Sequence, residues 1–316
     1  MNSIGLILPY WGRFPNYFQF FLESIGRNPT IDLHVFTDTL EGYCLPNNVI
    51  VHLMSLQGFK AKLQDRFDFP LNHLQSPYNL CDFKPAYGFC LQEYLKEYDF
   101  WGHCDCDLIF GDIRSFLTEE VLSSYDRFLT RGHLSVYRNN ERTNRAFMEI
   151  APVASDYKNV FSSSSGKVWA WDEWGGVSRF WSERRVDRQF DEIIFDDINS
   201  DYIGFLSSQK MTKDVKLKKS HFIYAYNYGR LERIGLQNGN IIKEATCYVH
   251  LQKRHLDVVT DNYGEFWIVP NKICAAGEMS VSVIRSLGGK RGLYWPSVKR
   301  RGSNFLRKIS RILNKC

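Results

Sequence analysis

The sequence predicts an α/β domain built on a doubly wound sheet, and three observations carry that prediction. A short apolar run, Ile4 to Leu8, ends at Pro9 and has the unbroken hydrophobicity of a strand buried on both faces. Pro15 can open a helix whose apolar positions, Phe18, Phe21, Leu22 and Ile25, repeat at helical spacing, with Gly26 and Asn28-Pro29 to stop it. A second run, Ile31 to Thr37, follows at once, and β-α-β order of this kind favours the right-handed crossover of a parallel sheet.

The later segments continue the alternation. Val49 to Met54 reads as a third strand, Leu56 to Phe67 as a helix, and a further helix starts near Pro85 and runs to about Tyr98. Phe100 to His103 is the next strand and His133 to Tyr137 another. Ser162 to Gly166 is a flexible loop, followed by a helix from Val177 to about Arg185. Phe222 to Ile234 and Ile241 to Leu251 are strands joined through Asn238-Gly239, a strong hairpin signal. Glu278 to Leu287 reads as helix. Ligands of doubly wound sheets bind beyond the carboxyl ends of the strands. Tyr10-Trp11, Asp38 and the segment after His103 all fall there.

Composition narrows the class. At 316 residues the chain is long enough for one large α/β domain or two modest ones. With 44% apolar and 24% charged residues it has the balance of a soluble globular protein. The eight cysteines are scattered without a Cys-x-x-Cys pair, which argues against a zinc ribbon or thioredoxin-type site and suits reduced thiols in a cytoplasm. The N-terminus lacks the basic opening of a signal peptide, and no run of 18 apolar residues exists to span a membrane. Charge is unevenly placed. Nine Lys and Arg and no acid lie between Lys290 and Cys316, so the residues before them carry −4 against the chain's +5.

The most informative stretch is Trp101-Gly-His-Cys-Asp105-Cys-Asp107-Leu-Ile-Phe-Gly111. If the strand continues through it, Asp105 and Asp107 point one way while Cys104, Cys106 and Leu108 point the other. Paired carboxylates among apolar neighbours repel and lose water, a cost that a cation between them removes. Oxygen donors of this kind suit Mg²⁺ or Mn²⁺ completing its shell with phosphate oxygens.

On these residues the sequence resembles the GT-A-type nucleotide-sugar glycosyltransferases, whose Asp-x-Asp motif ends a core strand. The resemblance covers Ile4 to Leu251 in order of elements and is specific at the triplet. It implies a GT-A-like (Rossmann-like) mixed sheet flanked by helices, with 1–130 as the nucleotide-sugar half and 131–288 as the acceptor half. It also implies Mn²⁺ or Mg²⁺ as cofactor, with Asp107 as direct ligand and Asp105 reaching the ribose, the sugar or the metal. In several branches, notably retaining ones, a late histidine completes the metal shell and a nearby lysine neutralises the departing diphosphate. His250 and Lys253 match in kind, so a retaining outcome is expected over an inverting one; Arg254 is a second candidate cation and His103 a rival ligand. Tyr10, Trp11 and Asp38 would form the base and ribose pocket, although packing and a helix cap explain them equally well. Lys84, beside a helix start, is a candidate phosphate or sugar contact or a solvated lysine.

Trp169-Ala-Trp171-Asp172-Glu173-Trp174-Gly-Gly176 holds three of the chain's eight tryptophans. Sugar C–H faces lie on aromatic planes and carboxylates accept from sugar hydroxyls, so Trp171 and Trp174 are expected to bind the acceptor. Asp172 and Glu173 are the candidate catalytic acids, as general base or as acceptor-positioning groups. A Trp-rich core patch with a capping acid is the competing reading. In the tail, Phe305, Leu306, Ile309, Ile312 and Leu313 share one helical face and Arg307, Lys308, Arg311 and Lys315 the other. Such a helix suits an anionic membrane surface, and packing on the body or on a second subunit is the competing reading.

The expected function is therefore transfer of a sugar, of the hexosyl type, from a nucleotide-diphosphate donor to a glycan or lipid-linked acceptor. By analogy with the superfamily this is a step in bacterial cell-surface polysaccharide assembly on the inner face of the membrane. Two other classes compete. A nucleotidyltransferase or phosphodiesterase would need a second acidic cluster, for which Asp196-Asp197 is the nearest candidate. A non-enzymatic membrane- or nucleic-acid-binding protein would use the tail, but the body is acidic and carries no nucleic-acid module, so no nucleic acid is expected.

Overall fold

The computed structural model describes residues 1–149, 155–173, 176–177, 189–190, 193–199, 202–205 and 222–289. The first strands are β1 (Ile4–Pro9), β2 (Ile31–Thr37), β3 (Val49–Leu53), β4 (Phe100–Cys104), β5 (Leu108–Phe110), β6 (Arg127–Arg131), β7 (Leu134–Arg138) and β8 (Gln189–Phe190). The rest are β9 (Asp196–Asp197), β10 (Phe222–Asn227), β11 (Arg230–Gln237), β12 (Asn240–Ala245), β13 (Tyr248–His250), β14 (Asp257–Val258), β15 (Glu265–Val269) and β16 (Lys272–Ala275). Contacts divide the chain into two units. One takes Met1–Phe14, Phe21–Cys106 and Ile113–Ile193, the other Pro15–Phe20, Asp107–Asp112 and Ile194–Cys316.

The first unit holds a seven-stranded mixed sheet in the order β3-β2-β1-β4-β7-β6-β8. Its β1/β2, β1/β4 and β2/β3 pairs are parallel, whereas β4/β7 and β6/β7 are antiparallel. The unbroken apolar run of β1 is explained by burial on both faces, with Leu6 and Ile7 fully buried, while β2 carries Asp32 and His34 between the fully buried Leu33 and Val35 and their neighbours. Parallel pairing brings the carboxyl ends of β1 to β4 to one edge, so Tyr10, Asp38, Met54 and Asp105 follow strands that end together. An aromatic cluster covers one face. Trp101 stacks on Tyr137 with ring centroids 4.5 Å apart, and Phe83 stacks on Phe161 at 4.2 Å.

Several boundaries differ from the sequence expectation for local reasons. Helix α1 (Phe18–Gly26) starts one turn after Pro15, whose carbonyl accepts from the Phe18 N–H. Helix α2 (Leu56–Gln64) is capped by Ser55 and stops before Phe67. There the Gln64 side chain binds the Phe67 and Phe69 carbonyls and the Leu71 N–H, pulling the chain into a loop. The helix expected to start near Pro85 instead opens at Pro77, behind a Ser76/Asn79 capping box, as a 3₁₀ segment, Pro77–Ala86. Two short helices, Tyr87–Cys90 and Gln92–Leu95, follow it. Pro85, with no N–H to give, sits inside the 3₁₀ segment rather than at its start.

The second unit contains two sheets. Six strands run β12-β11-β10-β15-β16-β14 and three run β5-β13-β9. Asn238 and Gly239 both have positive φ, 51° and 81°, and close the β11/β12 hairpin as the sequence predicts. The expected strand Phe222 to Ile234 is two strands. Tyr228 and Gly229 turn the chain at φ 42° and 98°, a reversal that the apolar pattern conceals. The helix Val281–Gly288, capped by Ser280, lays Ile284 against Ile223, Ile234, Trp267 and Val269. Among the described residues no helix is long and apolar enough to cross a membrane. The basic tail and the remainder of the helix expected from Val177 lie outside them, as does Trp174.

Candidate active site

The acid pair sits in a turn. β4 stops at Cys104 and β5 begins at Leu108, so Asp105-Cys106-Asp107 does not continue the strand, and the expected alternation of faces ends there. The change of partner is the cause. The Asp105 N–H donates to the His133 carbonyl at 2.9 Å, whereas Leu108 pairs with His250 in a different sheet. Asp105 belongs to the first unit and Asp107 to the second.

In the first unit a lysine organises the charges. Lys84 lies near the end of the 3₁₀ segment, and its Nζ donates to Asp105 Oδ1 at 2.7 Å and to the Gly132 carbonyl at 2.6 Å. Asp172 Oδ2 is 3.5 Å from the same ammonium. The Lys84 and Asp172 side chains are 9% and 6% exposed. Burial alone would push the Lys84 pKa down, but the Asp105 and Asp172 carboxylates outweigh it and hold the ammonium well above the usual range. Asp172 moves the other way from an ordinary carboxyl. Burial raises it to about 7, against the pull of Lys84 and with help from Glu173. Gly132 is part of this geometry, because a Cβ there would lie 2.5 Å from Asp172 Oδ2 and 2.8 Å from the Glu173 side chain.

In the second unit a histidine is held between two carboxylates. β13 ends at His250, whose neighbours in the three-stranded sheet are Leu108 on β5 and Asp197 on β9. His250 Nε2 is 3.4 Å from Asp107 Oδ2, and Nδ1 is 2.8 Å from Asp197 Oδ1. Burial lowers the imidazole pKa, but Asp107 and Asp197 reverse that and push it up to about 10. Two consecutive left-handed residues follow, Gln252 at φ 50° and Lys253 at φ 54°. They bring the Lys253 N–H to Asp107 Oδ2 at 2.6 Å, while the Gln252 amide binds Asp197 Oδ1 at 2.7 Å.

The donor set fits a divalent cation. Two ligands each about 2.1 Å from a shared ion lie close to the 3.4 Å that separates His250 Nε2 from Asp107 Oδ2. A carboxylate on the other ring nitrogen is what orients a metal-binding imidazole.

Other predicted residues fall as follows. Tyr10 is half-buried, stacks on Phe14 at 4.5 Å and donates its hydroxyl to the Arg13 carbonyl. Trp11 donates from Nε1 to the Met54 carbonyl, tying the ends of β1 and β3 together. Asp38 is exposed after β2. Trp171, expected to offer its ring to a sugar, is 3% exposed and packs edge-on against Phe147 and Phe161. In that place its ring serves the aromatic core. Lys253 is exposed, but Arg254 is buried and donates to the Ile203, Asn199 and Tyr202 carbonyls, which removes it as a diphosphate partner. His103 is fully buried, and its pKa is driven well below the ordinary value by burial and then by Lys84. Sequence reading missed Asp197 as the histidine's partner, along with Gly132 and Asp82. A short acidic strand such as Asp196-Asp197 carries no periodic signal.

These features define an α/β protein with a carboxylate-backed histidine and a buried lysine–carboxylate cluster. The chain belongs to DUF6625, a family of unknown function whose model matches residues 6–276. No curated protein matches it. Among solved structures it is similar to the galactosyltransferase LgtC in complex with donor and acceptor sugar analogs, at 10% identity and a TM-score of 0.32, over 60% of this chain and 75% of that one. A glycosyltransferase involved in glycosylation of the major capsid of PBCV-1 is similar at 10% identity and a TM-score of 0.34, over 62% and 85%. The glycosyltransferase GlyE of Streptococcus pneumoniae TIGR4 is similar at 10% identity and a TM-score of 0.32, over 60% and 44%. None of the three reaches a TM-score of one half, and the function proposed for the chain rests on its own residues.

Proposed function

We propose that the protein is a metal-dependent glycosyltransferase of GT-A type, moving a sugar from a nucleotide-diphosphate donor to a glycan or lipid-linked acceptor. The observation that carries this reading is His250, with Nε2 toward Asp107 and Nδ1 held by Asp197. Asp107 and His250 would hold Mn²⁺ or Mg²⁺. A bound divalent ion neutralises charge on a departing diphosphate.

The chain's own groups have separate tasks. The exposed Lys253 ammonium would meet the diphosphate, and Tyr10, Trp11 and Asp38 would receive the base and ribose at the ends of β1 and β2. Lys84 fixes the Asp105 carboxylate and would face the donor sugar. The segment from Trp171 to Trp174 would present Asp172 and Glu173 to the acceptor hydroxyl. Asp172, near neutrality in pKa, is suited to hold or accept a proton there. The basic tail, 289–316, would bring the enzyme to an anionic membrane surface on the cytoplasmic side.

A phosphoryl enzyme with two metals finds less support. The acids of Asp196-Asp197 are already divided, Asp196 facing the buried Arg233 at 3.4 Å and Asp197 facing His250. Calorimetric titration of nucleoside diphosphates with and without Mn²⁺ tests the proposal. Binding should require the metal and disappear in Asp107→Ala and His250→Ala; metal-independent binding, unchanged in both variants, would overturn it.

A further inference from the structure

A second buried polar pair includes Asp82, two residues before Lys84 in the same 3₁₀ segment. Asp82 and His73 are both fully buried, with His73 Nε2 2.7 Å from Asp82 Oδ2. The other partners of the Asp82 carboxylate are backbone amides. Trp169 N–H donates to Oδ2 at 3.0 Å and Trp171 N–H to Oδ1 at 2.8 Å. Between them Ala170 is left-handed, at φ 51°. Alternate amides converging on one anion across a left-handed residue form a nest, and here the anion is a side chain of the protein itself. Among the described residues His73 Nδ1 has no hydrogen-bond partner, and the ring's contact is the one from Nε2 to Asp82.

The same 3₁₀ segment therefore holds the Trp169–Glu173 strap twice. Asp82 holds its backbone at residues 169 and 171, and Lys84, two residues on, faces the side chain of Asp172 at 3.5 Å. Trp171 adds an anchor, its ring in the aromatic core and its Nε1 donating to the Ser155 carbonyl at 2.9 Å. Stability alone gives little reason for this arrangement, since buried charged groups contribute little net stability compared with apolar packing of equal volume. What a carboxylate with two amide partners provides is a single backbone conformation for the strap, and hence one position for Asp172.

We infer that the His73–Asp82 pair is a positioning latch, setting the strap that presents Asp172 and Glu173 to the acceptor. The acceptor half of the inference rests on the proposed glycosyltransfer; the latch itself does not. Asp82→Asn keeps the shape but turns an amide N–H₂ toward one of the two backbone N–H groups. Hydrogen exchange of the Trp169 and Trp171 amides should then speed up by about ten- to a hundredfold, the consequence of losing a hydrogen bond to a charged acceptor, with the amides around His250 unaffected. On the enzyme, transfer to acceptor should fall by a similar factor, while Mn²⁺-dependent nucleotide binding and hydrolysis of the donor by water stay within about threefold of wild type.

Retained protection of the two amides overturns the latch. Faster exchange with an unchanged ratio of transfer to hydrolysis overturns its role toward the acceptor. If Asp82→Asn does not fold, His73→Leu leaves the carboxylate and both amides and removes one donor. It should give a smaller shift in the same direction, and no shift would overturn the proposal. Exchange needs no substrate, so absence of metal-dependent nucleotide binding in the wild type would defeat the glycosyltransferase reading and leave the latch standing on its own result.

Discussion

The charged clusters that follow each other along the chain on either side of Cys106 differ in what balances their carboxylates. Around Lys84, a permanent cation sits among Asp105, Asp172 and a backbone carbonyl, so one ammonium of the chain's own serves two carboxylates. Around Asp107 and Asp197 the balancing cation is a proton on His250, which a metal can replace. The lysine keeps its charge across the working pH range, while Asp172, raised to about 7 by burial, titrates within it. A titratable imidazole can give up its proton to another cation, as the proposed metal site would require.

The contrast can be broken most sharply at the exchangeable cluster. His250→Ala removes the nitrogen ligand, and Mn²⁺ affinity measured by calorimetry should fall by more than the roughly 10- to 100-fold that loss of an outer-shell partner costs. Next in size is Lys84→Ala. It leaves Asp105 and Asp172 facing each other without their cation, and denaturant unfolding should show a loss of about 3–5 kcal/mol, toward the lower end because Asp105 keeps some solvent contact. Metal affinity of that variant should change far less than its stability.

Asp197→Asn should leave the fold intact and weaken Mn²⁺ binding about 10- to 100-fold, because the imidazole loses the carboxylate that orients it. A pH series separates the clusters without any substitution. The folded-state pKa of His250, pushed up to about 10, exceeds its unfolded value of 6.5, so the stability it contributes to the metal-free protein is full below pH 6.5 and lost as pH rises toward 10. Since metal and proton compete for Nε2, apparent Mn²⁺ affinity should climb by about tenfold per pH unit between pH 6 and 8. A flat profile would show that His250 is not the exchanging group.

Much of the scaffold was legible in residue order. β1 was readable because a strand buried on both faces carries no polar interruption, β2 because Ile31, Leu33, Val35 and Phe36 recur around Asp32 and His34, and Asn238-Gly239 because the hairpin demands two left-handed residues in a row. The Tyr228-Gly229 reversal was not, since Tyr at φ 42° is rare and the flanking apolar residues run on through it. The helix placed at Pro85 failed because a proline signals a helix start only where nothing upstream has already begun one, and Ser76-Pro77 had. At the site, Asp105, Asp107 and His250 stood out by residue type and neighbours. The Trp-acid segment also stood out, but its tryptophan at 171 turned inward, because an aromatic pocket of Phe147 and Phe161 was available to it.

What residue order determined by itself was local: which runs are apolar enough to be strands, where the backbone must reverse, and that two acids two residues apart follow a core strand. These depend on dihedral preference and on periodicity over a few neighbours. Tertiary structure alone decided how each charge is balanced. Lys84 reaches Asp105 across 21 positions and Gly132 across 48, and Asp197 meets His250 across 53. It gave Arg254 to backbone carbonyls and Asp82 to the amides of a strap 87 and 89 residues away. A buried charge takes whichever partner the fold brings within hydrogen-bonding distance, and that distance is set by packing, which no spacing along the chain records.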